Sequence, residues 1–342
     1  MKVIIFSFVF YLLAIGSIDA QMLIALQNGE NEKFFPTVQE AVDNAKNKDT
    51  IYIPGGIYPL TNSILAIDKE LHFVGVGHNP DSLSVQGNTM LKGSISLVAG
   101  SSNSTFEGLY LDGGIIAGTD TTDEDVDNIF ILRCNCLLIK LSQFSTNWKI
   151  FENVVRGNIS GYRLYYTEII GAQQNLIFNN FINSGVDNFG SNNIFKNNIF
   201  FLGQIMAVHD CTFCNNIFGT SRYSFSSVNS LVIKNNIFQY LEIPTGCISS
   251  NNISSETSDI SSIFVYMTGD VFNNSNNFQL KSTSPGKNAG TDGTDIGVYG
   301  GAYPWKAGAI PSFPHIQSAI ISPKTDSIGN LNIRIRVSAQ DY

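Results

Sequence analysis

The sequence predicts an all-β fold, a solenoid of stacked parallel strands, on three observations. Asn is over-used: there are 36, and 20 of them fall between Asn175 and Asn277. They recur as pairs inside short apolar runs: Ile177-Phe178-Asn179-Asn180-Phe181, Phe195-Lys196-Asn197-Asn198-Ile199, Phe213-Cys214-Asn215-Asn216-Ile217 and Ile233-Lys234-Asn235-Asn236-Ile237. With decayed copies included, the second Asn sits at 135, 153, 180, 198, 216, 236 and 252, in steps of 18, 27, 18, 18, 20 and 16. Apolar runs this short cannot make helices, so a period near twenty means stacked strands, about ten to twelve coils in all. The Leu-x-x-Leu-x-Leu frame of leucine-rich repeats is absent.

Residues 1–20 read as a signal peptide. Lys2 precedes an apolar run from Val3 to Ile15, and Ile18-Asp19-Ala20 ends in a small residue suited to cleavage before Gln21. The run is short for a membrane span. The expectation is an exported, secreted or cell-surface protein with no membrane span after cleavage. Residues 21–301 are then the solenoid and 302–342 an extension. Thr37-Val38-Gln39-Glu40 is a capping-box pattern, and Val38, Ala41, Val42 and Ala45 form one apolar stripe. A helix to about Lys46 is expected to cover the open first coil, as solenoid ends require. Asp49 to Ile53 reads as a strand, Pro54-Gly55-Gly56 as a turn and Ile57-Tyr58 as another strand.

In the body, each coil rises by about 4.8 Å, so repeat positions stack into lines. Leu132, Ile150, Ile177, Phe195, Phe213 and Ile233 are the expected interior line. The second Asn is expected both to join an amide ladder and to take a left-handed turn conformation. Arg133, Phe151, Phe178, Lys196, Cys214 and Lys234 form an outward line. An aromatic and basic ridge of that kind suits stacking and charge contacts with an extended glycan.

The phrase Thr37-Val38-Gln39-Glu40-Ala41-Val42, followed by Asp49-Thr50-Ile51-Tyr52-Ile53-Pro54-Gly55-Gly56, resembles the N-terminal cap and first coil of the right-handed parallel β-helix proteins of the pectate-lyase type. Ser284-Pro285-Gly286-Lys287-Asn288-Ala289-Gly290 with Thr294-Asp295-Ile296-Gly297-Val298-Tyr299-Gly300-Gly301 resembles the closing coil of exported bacterial members. The resemblance spans Phe34 to Gly301 and implies the fold and, with the general crossover rule, its right hand. It does not imply an activity. The Gly-His-Gly and Arg-Ile-Lys motifs of polygalacturonase-like members are missing, as are the Trp-Ile-Asp-His and Arg-x-Pro-x-x-Arg signatures of pectate lyases. No catalytic residue is identifiable.

Beyond Gly301, Pro304, Pro311 and Pro314 mark a linker. His315 to Ile321 and Leu331 to Val337 read as the strands of a small hairpin, which needs something to pack on. The five Cys are expected to be free thiols, because coil register holds all but Cys211 and Cys214 in poor bridging geometry or beyond reach.

Composition bounds the partners. Lys plus Arg is 20 against 28 for Asp plus Glu, a net charge of -8, which argues against nucleic acid. A polysaccharide or cell-surface partner, bound by a monomer, is the expectation. Two insertions carry the candidate sites. Asp120, Asp123, Asp125 and Asp127, with Glu124, form an acidic loop whose hard oxygens suit Ca²⁺, though not in an EF-hand frame. The long step between Asn153 and Asn180 holds Arg156, Arg163, Tyr165 and Tyr166, which offer bidentate carboxylate recognition and stacking. Glu168 lies in the same step, and Arg133, Lys140 and Lys149 are near in coil register. The expectation is a non-catalytic glycan-binding surface. The alternative is a lyase or hydrolase for uronic-acid glycans, built from a base and a carboxylate-binding cation.

Overall fold

The computed structural model describes residues 23–79, 87–118, 125–161, 171–202, 204–219, 225–240, 243–255, 260–306, 308–312, 314–321, 324–325 and 327–340. The expected leader lies outside them. The chain is all-β apart from short helical turns, with two long, chiefly parallel sheets in a solenoid-like stack consistent with a β-helix. Thr37 caps a helix at Val38–Asn44, its side chain accepting from Glu40 N at 3.2 Å, and Val38, Ala41 and Val42 are buried. The helix contacts strands Ile24–Asn28, Asn31–Phe35 and Gly56–Ile67.

Most repeats among the described residues supply three strands. The first face is a 12-stranded sheet that includes Phe130–Leu132, Lys149–Phe151, Leu176–Phe178, Ile194–Lys196, Thr212–Cys214 and Val232–Lys234. The second and third faces are two arms of one sheet, joined by the long strand Thr89–Leu97. The second face stacks Tyr110–Leu111, Asn135–Cys136, Val154–Val155, Phe181–Ile182, Ile199–Phe200, Ile217–Phe218 and Ile237–Phe238. The third stacks Ile115–Ala117, Ile139–Lys140, Ile159–Ser160, Val186–Phe189, Ile205–Val208 and Phe225–Ser226. The interior is aromatic and aliphatic: Phe195 and Phe213 stack at 4.5 Å, Phe218 and Phe238 at 4.5 Å, Phe200 and Phe218 at 4.9 Å.

The expected Asn ladder is present, and it is fully buried along most of its length. Asn180 donates from both its backbone N and its Nδ2 to Asn198 Oδ1, each at 3.0 Å. Asn198 does the same to Asn216, and Asn216 to Asn236. Each Nδ2 also donates to an interior-strand carbonyl: Asn198 Nδ2 to Ile177 O at 2.7 Å, Asn216 Nδ2 to Phe195 O at 2.8 Å. The ladder thus satisfies buried polar groups that the turn between the first two faces leaves without sheet partners.

Two register expectations need correction. Ile131, not Leu132, pairs with Ile150, so Cys134 stands at the ladder position and Asn135 belongs to the next strand; Cys134 N donates to Asn153 Oδ1 at 2.8 Å. The left-handed residue of each pair is the first Asn, not the second: Asn179, Asn197, Asn215 and Asn235 have φ of 56°, 57°, 59° and 54°, and Arg133 and Glu152 fill the same position upstream at 50° and 54°. The two Asn therefore divide the work of turn and ladder. A shorter second ladder, Asn175 to Asn193, lies at the turn from the third face to the first, where Asn175 Nδ2 meets Asn193 Oδ1 at 2.9 Å.

The segment 284–301 does not close the last coil. It runs back along the outside, gripped by the first Asn of successive pairs. Asn235 Nδ2 donates to Ala289 O at 2.9 Å, Asn215 Oδ1 accepts from Thr291 N at 2.9 Å, and Asn179 Nδ2 donates to Val298 O and Gly300 O at 2.8 Å. Further on, Lys306 meets Glu152 at 3.5 Å, Arg133 donates to Ile310 O at 2.8 Å, and Glu107 accepts from Ser312 N at 2.6 Å. Arg133 and Glu152 pair at 3.0 Å and are both buried, with Lys306 on Glu152 and Ile310 on Arg133. The Pro-rich stretch 304–312 is thus docked. The hairpin forms as expected, His315–Ile321 against Ile333–Ser338. Ile333, Ile335 and Val337 are each more than half exposed. All five Cys are free, Cys247 half-buried and the rest buried.

Candidate functional site

The outward ridge expected on the first face is not a free surface. Leu132, not Arg133, is in line with Phe151, Phe178, Lys196, Cys214 and Lys234. Phe151 packs on Tyr303 at 5.0 Å and is buried, and Lys196 pairs with Asp292 at 2.8 Å. Arg133 is buried in the ion cluster. The C-terminal segment occupies much of the ridge.

The second face is covered too. Val154, Phe181, Ile199, Ile217 and Ile237 point outward and are buried in a satellite core with Ile260, Ile263, Phe264, Phe278, Leu280, Ile296 and Val298. This explains why two consecutive apolar residues follow each Asn pair: Ile182, Phe200, Phe218 and Phe238 fill the interior while their predecessors meet the cover.

The third face is different. Its inward line, Ile115, Ile139, Ile159, Val186 and Ile205, is fully buried. Its outward line, Ile116, Lys140, Ser160, Asp187 and Met206, is half-exposed or exposed. Both insertions singled out from the sequence leave the chain from the ends of these strands. Ile115–Ala117 runs through Gly118 to the acidic loop, and Ile159–Ser160 runs through Gly161 to residues 162–170. The two departure strands are paired through Ile139–Lys140, two coils apart, about 10 Å. Gly161 and Gly171, at the two ends of the second insertion, both lie against the Asn188 carbonyl so closely that a Cβ would collide with it. Glycine is required there by close approach between coils.

Polar groups collect on this face. Asp187 accepts from Asn158 Nδ2 at 2.7 Å and from Asn188 Nδ2, and burial raises its carboxyl pKa, with those hydrogen bonds and Lys140 pulling the other way. At the corner between second and third faces, Arg156 donates to Leu111 O and Asp112 O, with its guanidinium 4.9 Å from the Tyr110 ring centroid. Its charge therefore sits at the rim of the third face, with one nitrogen held by two consecutive carbonyls of an earlier coil. Arg163, Tyr165, Tyr166 and Glu168 lie outside the described residues, as do Asp120, Asp123 and Glu124. Asp125 is exposed. Asp127 Oδ1 accepts from Thr146 N at 2.6 Å and Thr146 Oγ1 at 2.9 Å, a coil-to-coil clasp. Among the described residues no group of three His, Cys, Asp or Glu is placed to hold a metal. Lys140 joins the third-face group, whereas Lys149 lies on the first face and Arg133 in the ion cluster. Asp187 and Asn158 were missed because nothing local marks them; they are brought together only by coil register.

No family model matches this chain, and no curated protein matches it. Among the described residues no helix is long and apolar enough to cross a membrane.

Proposed function

We propose that the chain is an exported, monomeric, right-handed parallel β-helix of pectate-lyase-like form, and that it binds an acidic glycan along its third face. In this reading the helix Val38–Asn44 covers the first coil, and residues 1–20 direct export before removal. The hand follows from the general rule for parallel crossovers. One observation carries the binding surface: both insertions depart from register-paired ends of third-face strands, with Lys140 on the coil between them. Long loops on a rigid solenoid are where binding residues collect. Arg163 offers the carboxylate contact, Tyr165 and Tyr166 the stacking surface, and Arg156 positive potential at the rim. Calcium enters the reading through Asp120, Asp123 and Asp125, and Asp127 only through an oxygen other than the one held by Thr146. A panel of uronic-acid polysaccharides tests the reading. Wild-type protein is expected to bind at least one member, and Arg163→Ala with Tyr165→Ala to abolish it without changing the melting temperature. Binding that survives would overturn the assignment.

A second reading, a lyase, draws on Asp187. A half-buried carboxyl with a raised pKa, two coils from Lys140 on the same outward line, puts a base and a cation on one face, the two groups that elimination across a uronic acid requires. Unsaturated product absorbance that appears with wild type, with or without Ca²⁺, and vanishes in Asp187→Asn would favour it.

A further inference from the structure

The covered side of the molecule holds a cavity of about 70 Å³ between the second face and the C-terminal segment. Its walls are Phe181, Phe272, Phe278, Tyr299 and Trp305. Phe181 lies 4.7 Å from Trp305 edge to face, and 4.7 Å from Phe272. The turn that carries Phe272 and Phe278 is clasped by Asn276, whose Oδ1 accepts from Thr268 N at 3.0 Å and whose Nδ2 donates to Thr268 O at 3.1 Å. His78 lines the cavity 6.4 Å from the Trp305 ring. It is only 3% exposed, and neither ring nitrogen has a hydrogen-bond partner among the described residues. A buried imidazole whose nitrogens meet no other protein side chain costs stability in an aromatic cavity. A ligand that meets one of them would remove part of that cost.

The lining defines the ligand. Among the described residues it contains no carboxylate and no Lys or Arg. A charged ligand would lose its hydration with no opposite charge in return. A quaternary ammonium would suit the aromatic rings but leave both His78 nitrogens unmet. Burial holds the imidazole neutral, its pKa down at about 4, so the ring presents one N–H donor and one acceptor nitrogen. A secondary amide can meet either nitrogen, its carbonyl accepting from the ring N–H or its N–H donating to the bare nitrogen. Size narrows it further. A cavity near 150 Å³ takes a benzene ring, so one of about 70 Å³ takes roughly half as many heavy atoms, an acetamido group and not a sugar ring. At the rim, Asn274 is exposed, an amide suited to a hydroxyl group that remains outside.

We propose that this cavity binds the acetamido group of an N-acetylhexosamine, with His78 pairing the amide, the rings of Phe272 and Trp305 holding the methyl group, and the sugar ring resting on the Asn-bearing rim. The site does not rest on the third-face reading: its ligand is neutral and its residues are different, and free monosaccharide is assayed instead of an acidic polymer.

The test is calorimetric titration of the full chain with N-acetylglucosamine, glucose and Nε-acetyl-lysine. N-acetylglucosamine is expected to bind saturably, with glucose and Nε-acetyl-lysine at least tenfold weaker. His78→Leu should abolish the N-acetylglucosamine response, and Phe272→Ala, at the half-buried rim, should weaken it at least tenfold should the Leu variant fail to fold. Equal affinity for glucose, no saturable binding of N-acetylglucosamine, or unchanged binding in either folded variant would overturn the proposal. Equal affinity for Nε-acetyl-lysine would assign the acetamido group to a protein ligand and overturn the hexosamine.

Discussion

The second and third faces are built from short strands in the same coils, yet one is covered and the other is open. On the second face Val154, Phe181, Ile199, Ile217 and Ile237 point outward and are buried beneath residues 260–305. On the third face the corresponding line is Ile116, Lys140, Ser160, Asp187 and Met206, and none is buried. The difference teaches how to read such a repeat. Two consecutive apolar residues repeated on coil after coil mean burial on both sides, and so a cover from elsewhere in the chain. An outward line that mixes Lys140, Ser160 and Asp187 with Ile116 and Met206 marks a side left to water or a ligand.

The covered side should respond most strongly to truncation. Phe181→Ala is expected to lower unfolding free energy by about 3–5 kcal/mol, because the ring is fully buried among Phe272, Phe278 and Trp305. Denaturant unfolding measures this, and amide exchange should quicken across 260–305. A loss below about 1 kcal/mol would mean that this segment is not a cover.

Within each Asn pair a smaller contrast is expected. Asn198→Ala should cost about 2–4 kcal/mol, since it leaves two buried donors of Asn180 without their acceptor. Asn197→Ala should cost about 1–2 kcal/mol, from a left-handed Ala and lost bonds to Asp295 O and Gly297 O. Asn197→Gly should recover the backbone part. Equal unfolding midpoints for the 197 and 198 variants would erase the division between turn and ladder.

The pH dependence of the covered side is of similar size to the ladder effect. Burial lowers the His78 pKa from 6.5 to about 4. The folded state therefore favours the neutral ring. Its contribution is fully present above pH 6.5 and is lost as pH falls towards 4, on the order of 3 kcal/mol. The other titratable group lining the cavity, Tyr299, has its pKa raised by burial and does not titrate in that window. Stability of His78→Leu measured across pH 4 to 6.5 should be flatter than wild type. Parallel curves would contradict the buried, neutral assignment.

The open side should hardly respond in stability. Lys140→Ala with Asp187→Asn is expected to shift unfolding by no more than about 0.5 kcal/mol, since surface changes away from packed contacts are small. The raised pKa of Asp187 means its charge is not what holds this face together.

The parts of the molecule legible in sequence are those set by local chemistry. Thr37 and the apolar stripe after it gave the helix at Val38–Asn44, and the period of the Asn pairs gave the ladder from Asn153 to Asn252. What was not legible depends on distant segments. Register slipped at Cys134 because Asn135 imitates the repeat one residue late. The outward ridge was misread because its cover, Tyr303 and Asp292, comes from the other end of the chain. Asn179 and Asn197 look like copies of Asn180 and Asn198, and only their contacts with 295–300 separate them. His78 carries no motif; its meaning comes from Trp305 and Phe272 closing over it. On the third face, Lys140 was legible as a nearby cation, but Asp187 became visible only once strands two coils apart were paired.

The claim that the open third face is the binding face is tested most directly by measuring uronic-acid polysaccharide binding by wild type and by Lys140→Ala, each checked for an unchanged melting temperature. Weaker affinity in the variant is the expected result. Equal affinity in the two proteins would contradict it.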